Sequence, residues 1–259
     1  MILSFLLIKK FFPILSAFFV LIFSLLAIFI VQYSFVFYLV SVSLAIIVSS
    51  FFLLLLLGKE VNRLWPFLIF FFLLIASFNV FLVFSKSQAA QIIFIFITSL
   101  FSYLFLSAVF GFIYAPRKYP PYSLENFSSA VSFAVSFLIF SIFFAAITFF
   151  NFSLIISLTA VFLIGLALPI FLFWLVKLKP PLAHYFVIAL ITLQLFYTLT
   201  LLPTSFYINS FVLTLLLFVA INLAIRENKD GLLSRKTIQR HLFFTVLILI
   251  LICLLAEWR

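Results

Sequence analysis

The chain has 259 residues with 15 Lys and Arg against 5 Asp and Glu, a formal charge of +10, yet 8% of its residues are charged and 68% are hydrophobic. A soluble domain carries about a quarter charged residues, and a disordered chain combines low hydrophobicity with high charge. Both classes are excluded. The basic residues are scattered in short connections instead of clustering, which argues against a nucleic-acid partner and for an integral membrane protein.

Apolar runs follow one another along the whole sequence. A helix needs about 20 apolar residues to cross the hydrocarbon core, where no water satisfies its backbone groups. Eight runs reach that length, and a ninth, of 15 residues, becomes a full span if its helix begins at Arg235 with Ser234 as N-cap. The runs are Phe11–Val31, Phe35–Leu57, Trp65–Phe84, Ile92–Tyr114, Ser129–Phe150, Leu154–Val176, Leu182–Leu202, Phe206–Ile225 and Leu242–Ala256.

The predicted fold class is therefore all-α, a polytopic bundle of nine transmembrane helices that forms one integral membrane domain over residues 1–259. Basic residues concentrate in cytoplasmic segments of membrane proteins. With the N-terminus inside and the C-terminus outside, only Lys86 and Arg259 of the 15 Lys and Arg fall outside. The inside group is Lys9, Lys10, Lys59, Arg63, Arg117, Lys118, Lys177, Lys179, Arg226, Lys229, Arg235, Lys236 and Arg240.

The stretch RENKDGLLSRKTIQRH, residues 226–241, holds seven of the twenty charged side chains. We interpret it as the longest cytoplasmic connection, which turns at Asp230-Gly231 and carries basic residues that anchor the last helix and attract anionic headgroups. A ligand-binding role is the alternative. The lipid headgroups of the cytoplasmic face are the partners that this pattern predicts.

Polar side chains are sparse within the apolar runs. No Asp, Glu, Lys or Arg lies in them, and His184 stands at the start of the seventh, which counts against ion coupling. The amide of Asn209 remains, together with those of three further residues, Asn79, Gln194 and Asn222. Such groups join helices in lipid by hydrogen bonds. The alternative is that these three amides line a path for an uncharged or amphiphilic substrate.

A reactive or ligand-binding site could form at the predicted cytoplasmic ends of the fifth and seventh helices. The residues there are Arg117, Lys118, Glu125, Asn126 and His184. The simpler interpretation is that Glu125 is a carboxylate favoured at a helix start and that Arg117 and Lys118 only set the membrane topology. The sharper hypothesis is a headgroup site, in which Arg117 and Lys118 hold an anionic lipid and Glu125 or His184 exchanges a proton with it.

Motifs for cofactors or metals are missing from the sequence. The chain has four isolated glycines, two histidines 57 positions apart and the single Cys253, so no phosphate loop, disulfide or zinc spacing is present. We predict no cofactor, no metal and no assigned catalytic residue.

Two segments carry a family resemblance: YSLENFSSAVSF at residues 122–133 and LLSRKTIQRHLFFTVLILILICLLAEW at residues 232–258. They resemble an uncharacterised family of multi-pass bacterial membrane proteins, with a Leu-Glu-Asn helix start and a basic entry to the last helix. The resemblance implies a location in a bacterial inner membrane and implies no activity.

Three functions are consistent with these patterns. The first and favoured one is a non-enzymatic membrane component or assembly partner, which needs only packing surfaces. The second is a permease or lipid translocator for an uncharged or amphiphilic substrate. The third is a lipid-modifying enzyme at the cytoplasmic surface. The sequence leaves a homo-oligomer and a hetero-oligomer equally open.

Overall fold

The computed structural model describes residues 2–31, 35–57, 61–82, 88–114, 123–202 and 204–230, and the single positions 239, 243, 246 and 250. Over these ranges the regular secondary structure is entirely α-helical, in eight helices. They are α1 (Ile2–Val31), α2 (Phe35–Leu57), α3 (Val61–Leu82), α4 (Gln88–Tyr114), α5 (Ser123–Phe150), α6 (Leu154–Leu175), α7 (Leu182–Thr200) and α8 (Phe206–Asp230).

Each of the first eight predicted runs falls on one of these helices, and α2 has the predicted bounds. Several helices extend past their apolar run, because backbone hydrogen bonding continues into polar sequence until a residue interrupts it. The structure corrects the prediction that Arg226 begins a connection, since α8 continues to Asp230. There Asn228 Nδ2 donates a hydrogen bond to the Ala224 carbonyl at 2.8 Å.

Within the described ranges, five helices contain stretches long and apolar enough to cross a membrane. Shorter apolar stretches lie in the described parts of α1, α2 and α3, and of the ninth run only Phe243, Val246 and Ile250 are described, all helical and exposed. The chain is thus a helical, membrane-embedded protein. The five stretches are Gln91–Tyr114, Phe127–Phe150, Leu154–Leu175, Leu182–Thr200 and Phe206–Lys229.

The chain divides into two compact units, Met1–Val131 and Ser132–Arg259, and α5 contributes residues to both. The prediction of one domain was made from sequence alone and stays a prediction. In the first unit α1 packs against α2 and α4, and α3 also packs against α2 and α4. Its core is aromatic: Phe71 stacks on Phe105 with ring centroids 5.4 Å apart, and both rings are fully buried.

In the second unit α7 packs against both α6 and α8. Gly165 of α6 lies against α7 so closely that a Cβ there would be 3.1 Å from the Ala189 Cα. Rings from the later part of α5 complete this core, with the centroid of Phe144 4.4 Å from that of Phe196 and the centroid of Phe133 5.2 Å from that of Phe218. The absence of a side chain at Gly165 therefore sets the separation of α6 and α7.

Candidate functional site

A tight turn joins α6 to α7 at one end of the second unit. The Leu178 N–H donates to the Phe173 carbonyl and the Lys177 N–H donates to the Trp174 carbonyl, both at 3.0 Å. This pair of bonds is the Schellman arrangement, which places one residue in the left-handed conformation. That residue is Lys177, with φ 58°, where glycine is usual. The turn reverses the chain, so that α7 runs antiparallel to α6.

Two prolines then lead into α7. Proline is common just after a helix C-terminus because it cannot continue the helix. Pro180 is buried, whereas Pro181 is the exposed N-cap residue and its carbonyl accepts a hydrogen bond from the His184 N–H at 3.0 Å. The prolines thus place His184 in the first turn of α7.

His184 faces the last turns of α8. Its Nε2 lies 4.0 Å from Oε2 of Glu227, and the two side chains are 29% and 52% exposed. The helix dipole favours an anion near a helix N-terminus and a cation near a C-terminus. Glu227 lies beside the N-terminus of α7, where a negative charge is favoured. His184 lies beside the C-terminus of α8, where a positive charge is favoured. Nδ1 of His184 is buried and has no hydrogen-bond partner in the described chain.

Among the described side chains of the second unit, the charged ones are concentrated at this same end. Of the side chains described there, Lys177, Lys179 and Lys229 are exposed and Arg226 is half-buried, with Glu227 as the one acidic group. The sequences at the opposite end, residues 151–153 and 201–205, contain no charged residue. The described side chains at this end thus carry a net charge of +3 with His184 neutral, and each basic residue near a membrane surface attracts anionic lipid by roughly 1 kcal/mol.

The other residues of the predicted headgroup site cannot be compared with His184. Arg117 and Lys118 lie outside the described residues. Glu125 and Asn126 lie in the first turn of α5, where the backbone is described and the side chains are not. A shared site of Glu125 and His184 therefore stays a prediction.

Glu227 is the partner that sequence reasoning missed. It was assigned to a connection because the apolar run ends at Ile225. A signal was available, since the short segment 201–205 makes α7 and α8 an antiparallel pair. The start of α7 must then lie level with the end of α8.

Asn79, one of the three amides proposed to line a path, lies in the core of the first unit. It is 1% exposed, its Oδ1 accepts a hydrogen bond from Ser24 Oγ at 2.9 Å, and its Nδ2 donates to the Ile75 carbonyl at 2.8 Å. Ser24 belongs to α1 and Asn79 to α3. This amide therefore joins two helices and bonds back to its own.

Gln194 and Asn222 lie in the second unit, and both side chains are exposed. Gln194 is ten residues beyond His184, and Asn222 is five residues before Glu227. At 1.5 Å per residue, and with His184 level with Glu227, the two amides differ in height by roughly 7–8 Å. The structure does not bring them together on one buried surface.

Buried hydroxyl groups mostly bond back to their own helices. Ser102 Oγ donates to the Thr98 carbonyl at 2.8 Å and Ser136 Oγ to the Ser132 carbonyl at 2.6 Å. Ser99 Oγ instead crosses from α4 to the Ala17 carbonyl of α1 at 2.8 Å. Such bonds satisfy polar groups in lipid without water. Among the described side chains, no group of three His, Cys, Asp or Glu could hold a metal ion.

Comparisons with family models, with curated proteins and with solved structures found no match to this chain. The resemblance of residues 122–133 and 232–258 to a family of bacterial membrane proteins therefore stays a prediction.

Proposed function

We propose that the chain is a non-enzymatic component of a bacterial inner membrane that packs against other membrane partners through its helices. The observation that carries this proposal is the bonding of Asn79. An amide that lines a substrate path must offer a donor or acceptor to the substrate. In this chain the Asn79 side chain is 1% exposed, its oxygen is bonded to Ser24 and its nitrogen to the Ile75 carbonyl.

The experiment replaces Asn79 with Leu in the full chain. Interhelical hydrogen bonds in membranes contribute about 0.6 kcal/mol on average. A packing role therefore predicts a modest fall in membrane abundance, or none, and a protein that still complements a strain lacking the gene. Ser24→Ala should have a similar effect. Because both substitutions remove the same Ser24–Asn79 hydrogen bond, the abundance of the double variant should fall by less than the sum of the two separate losses.

Ser77→Ala is the matched control, since Ser77 is also buried in α3 and donates only to the Leu74 carbonyl of its own helix. The outcome against the proposal is specific. If Asn79→Leu accumulates to the normal level in the membrane and fails to complement, whereas Ser77→Ala complements, the amide contacts a substrate and the permease alternative is favoured.

The proposal includes nine spans with the N-terminus inside and the C-terminus outside. Its support is the placement of Lys177, Lys179, Arg226 and Lys229 at one end of the second unit, since the end of a membrane protein that is rich in Lys and Arg usually faces the cytoplasm. Reporter fusions after Phe84 and Arg259 are expected to be external, and one after Ile225 cytoplasmic. A cytoplasmic reporter at Arg259 would eliminate the ninth span.

The same four basic residues are proposed to contact anionic headgroups of the cytoplasmic leaflet. Support comes from their number and from the single acidic side chain, Glu227, described among them. Polybasic segments at the membrane surface bind anionic lipid by this electrostatic attraction. The contact would fix the depth of α6, α7 and α8 in the bilayer.

A further inference from the structure

Gln194 presents an amide on the exposed face of α7. The residues beside it on that face, Val187, Leu190 and Ile191, are apolar and exposed. Gln194 lies six residues before the last residue of the helix, Thr200, which places it about 9 Å inside that end at 1.5 Å per residue. In a helix that crosses a membrane, this depth lies within the hydrocarbon.

The side-chain amide of Gln194 has no hydrogen-bond partner within the part of the chain that the structure describes, although its backbone carbonyl accepts a bond from Thr198 Oγ1 at 2.9 Å. Other amides in the helices differ. Asn79 and Asn209 are buried and bonded, and Asn222 lies four residues before Arg226, near the polar surface. A polar group in hydrocarbon is costly unless a partner satisfies it.

We propose that α7 packs through Gln194 against α7 of a second copy of this chain. A carboxamide is both donor and acceptor, so two copies related by a two-fold axis satisfy each other with a pair of reciprocal bonds. In a two-fold interface the same surface patch meets itself. Along α7 the exposed positions around Gln194 carry no charge that would repel its copy, and the apolar neighbours supply the packing surface. The inference rests on the proposed function as an assembly partner and specifies that partner.

The experiment uses disulfide cross-linking in native membranes. Cys253 is the only cysteine, so Cys253→Ser provides a cysteine-free full-length chain. Ile191→Cys is then added, three residues before Gln194 on the same exposed face. Mild oxidation should yield a species of about twice the chain mass of 29.9 kDa, and it should contain both tags when two differently tagged copies are expressed together.

The role of the amide is tested in the same background. Replacing Gln194 with Leu removes two reciprocal bonds at about 0.6 kcal/mol each. Because about 1.4 kcal/mol corresponds to a factor of ten, the dissociation constant should rise roughly sevenfold and the cross-linked fraction should fall at matched expression. Gln194→Asn, which keeps an amide, should retain more dimer. Thr159→Val, on the exposed face of α6 where the hydroxyl bonds to Ile155, should change nothing.

Two results would overturn the inference. They are an equal dimer yield from Leu163→Cys on the exposed face of α6 and an Ile191→Cys cross-link that is insensitive to Gln194→Leu. A failure of this inference can be distinguished from a failure of the proposed function. A single copy that copurifies with one other protein in fixed ratio contradicts only this inference, whereas a single copy with a specific bound lipid and no protein contradicts both.

Discussion

The contact between α6 and α7 at Gly165 leads to a quantitative prediction. A Cβ at this position would lie 3.1 Å from the Ala189 Cα, 3.4 Å from the Thr192 Cβ and 3.5 Å from the Ala189 Cβ. Two of these neighbours are side-chain atoms, but the first is backbone and cannot rotate away. A larger side chain at residue 165 must therefore push the two helices apart.

The size of the effect follows from comparing two substitutions. Leu and Ala have nearly equal helix propensity, so Gly165→Leu and Gly165→Ala differ mainly in the carbons beyond Cβ. The Cβ alone must move by a few tenths of an ångström to reach an ordinary contact of about 3.5 Å. The further carbons of Leu enter a packed surface, where overpacking costs about 1–3 kcal/mol. Gly165→Leu should be less stable than Gly165→Ala by that amount.

The assay is thermal unfolding of the full chain in detergent, followed by the fraction that remains monodisperse. A destabilisation of 1–3 kcal/mol should lower Tm by roughly 2–12 °C in a protein of this size. Ala167→Leu is the control, because Ala167 is exposed on the same helix two residues away. Its Tm should equal that of the unaltered chain. Equal Tm values for Gly165→Leu and Gly165→Ala would show that α6 and α7 are not in close contact at this position.

Two further predictions concern the charged end of the second unit. Lys177 has φ 58°, and a left-handed residue with a Cβ costs about 1–2 kcal/mol. Lys177→Gly should therefore have a Tm about 2–8 °C above that of Lys177→Ala, and equal values would argue against the Schellman turn. Glu227→Gln removes the acid beside His184, but a half-exposed pair at 4.0 Å contributes at most about 1 kcal/mol. Its main effect should be greater retention of anionic lipid in native mass spectrometry, and reduced retention would contradict the proposed headgroup contact.

The positions of the helices along the chain could be predicted from the sequence, and the physical reason is the cost of unsatisfied backbone groups in lipid. Each of the first eight apolar runs lies on one helix, and four of the thirteen basic residues predicted to share one side, Lys177, Lys179, Arg226 and Lys229, lie at one end of the second unit. The helix ends were predicted less well. Apolarity marks the part of a helix that crosses hydrocarbon and not its last hydrogen bond, and for that reason Arg226–Asp230 was assigned to a connection although it belongs to α8.

The faces of the helices were decided only by the tertiary structure. In a soluble protein an apolar stripe identifies the buried side of a helix, but a membrane helix is apolar on all sides and carries no such mark. Asn79 and Gln194 are both amides within apolar runs, and nothing local to either residue indicates that Asn79 is buried against Ser24 while Gln194 is exposed. The proximity of His184 to Glu227 likewise depends on the antiparallel packing of α7 and α8. These contacts depend on how the helices pack against one another. The positions of the helices along the chain depend only on which segments are apolar enough to lie in lipid, and the residues of each segment reveal this.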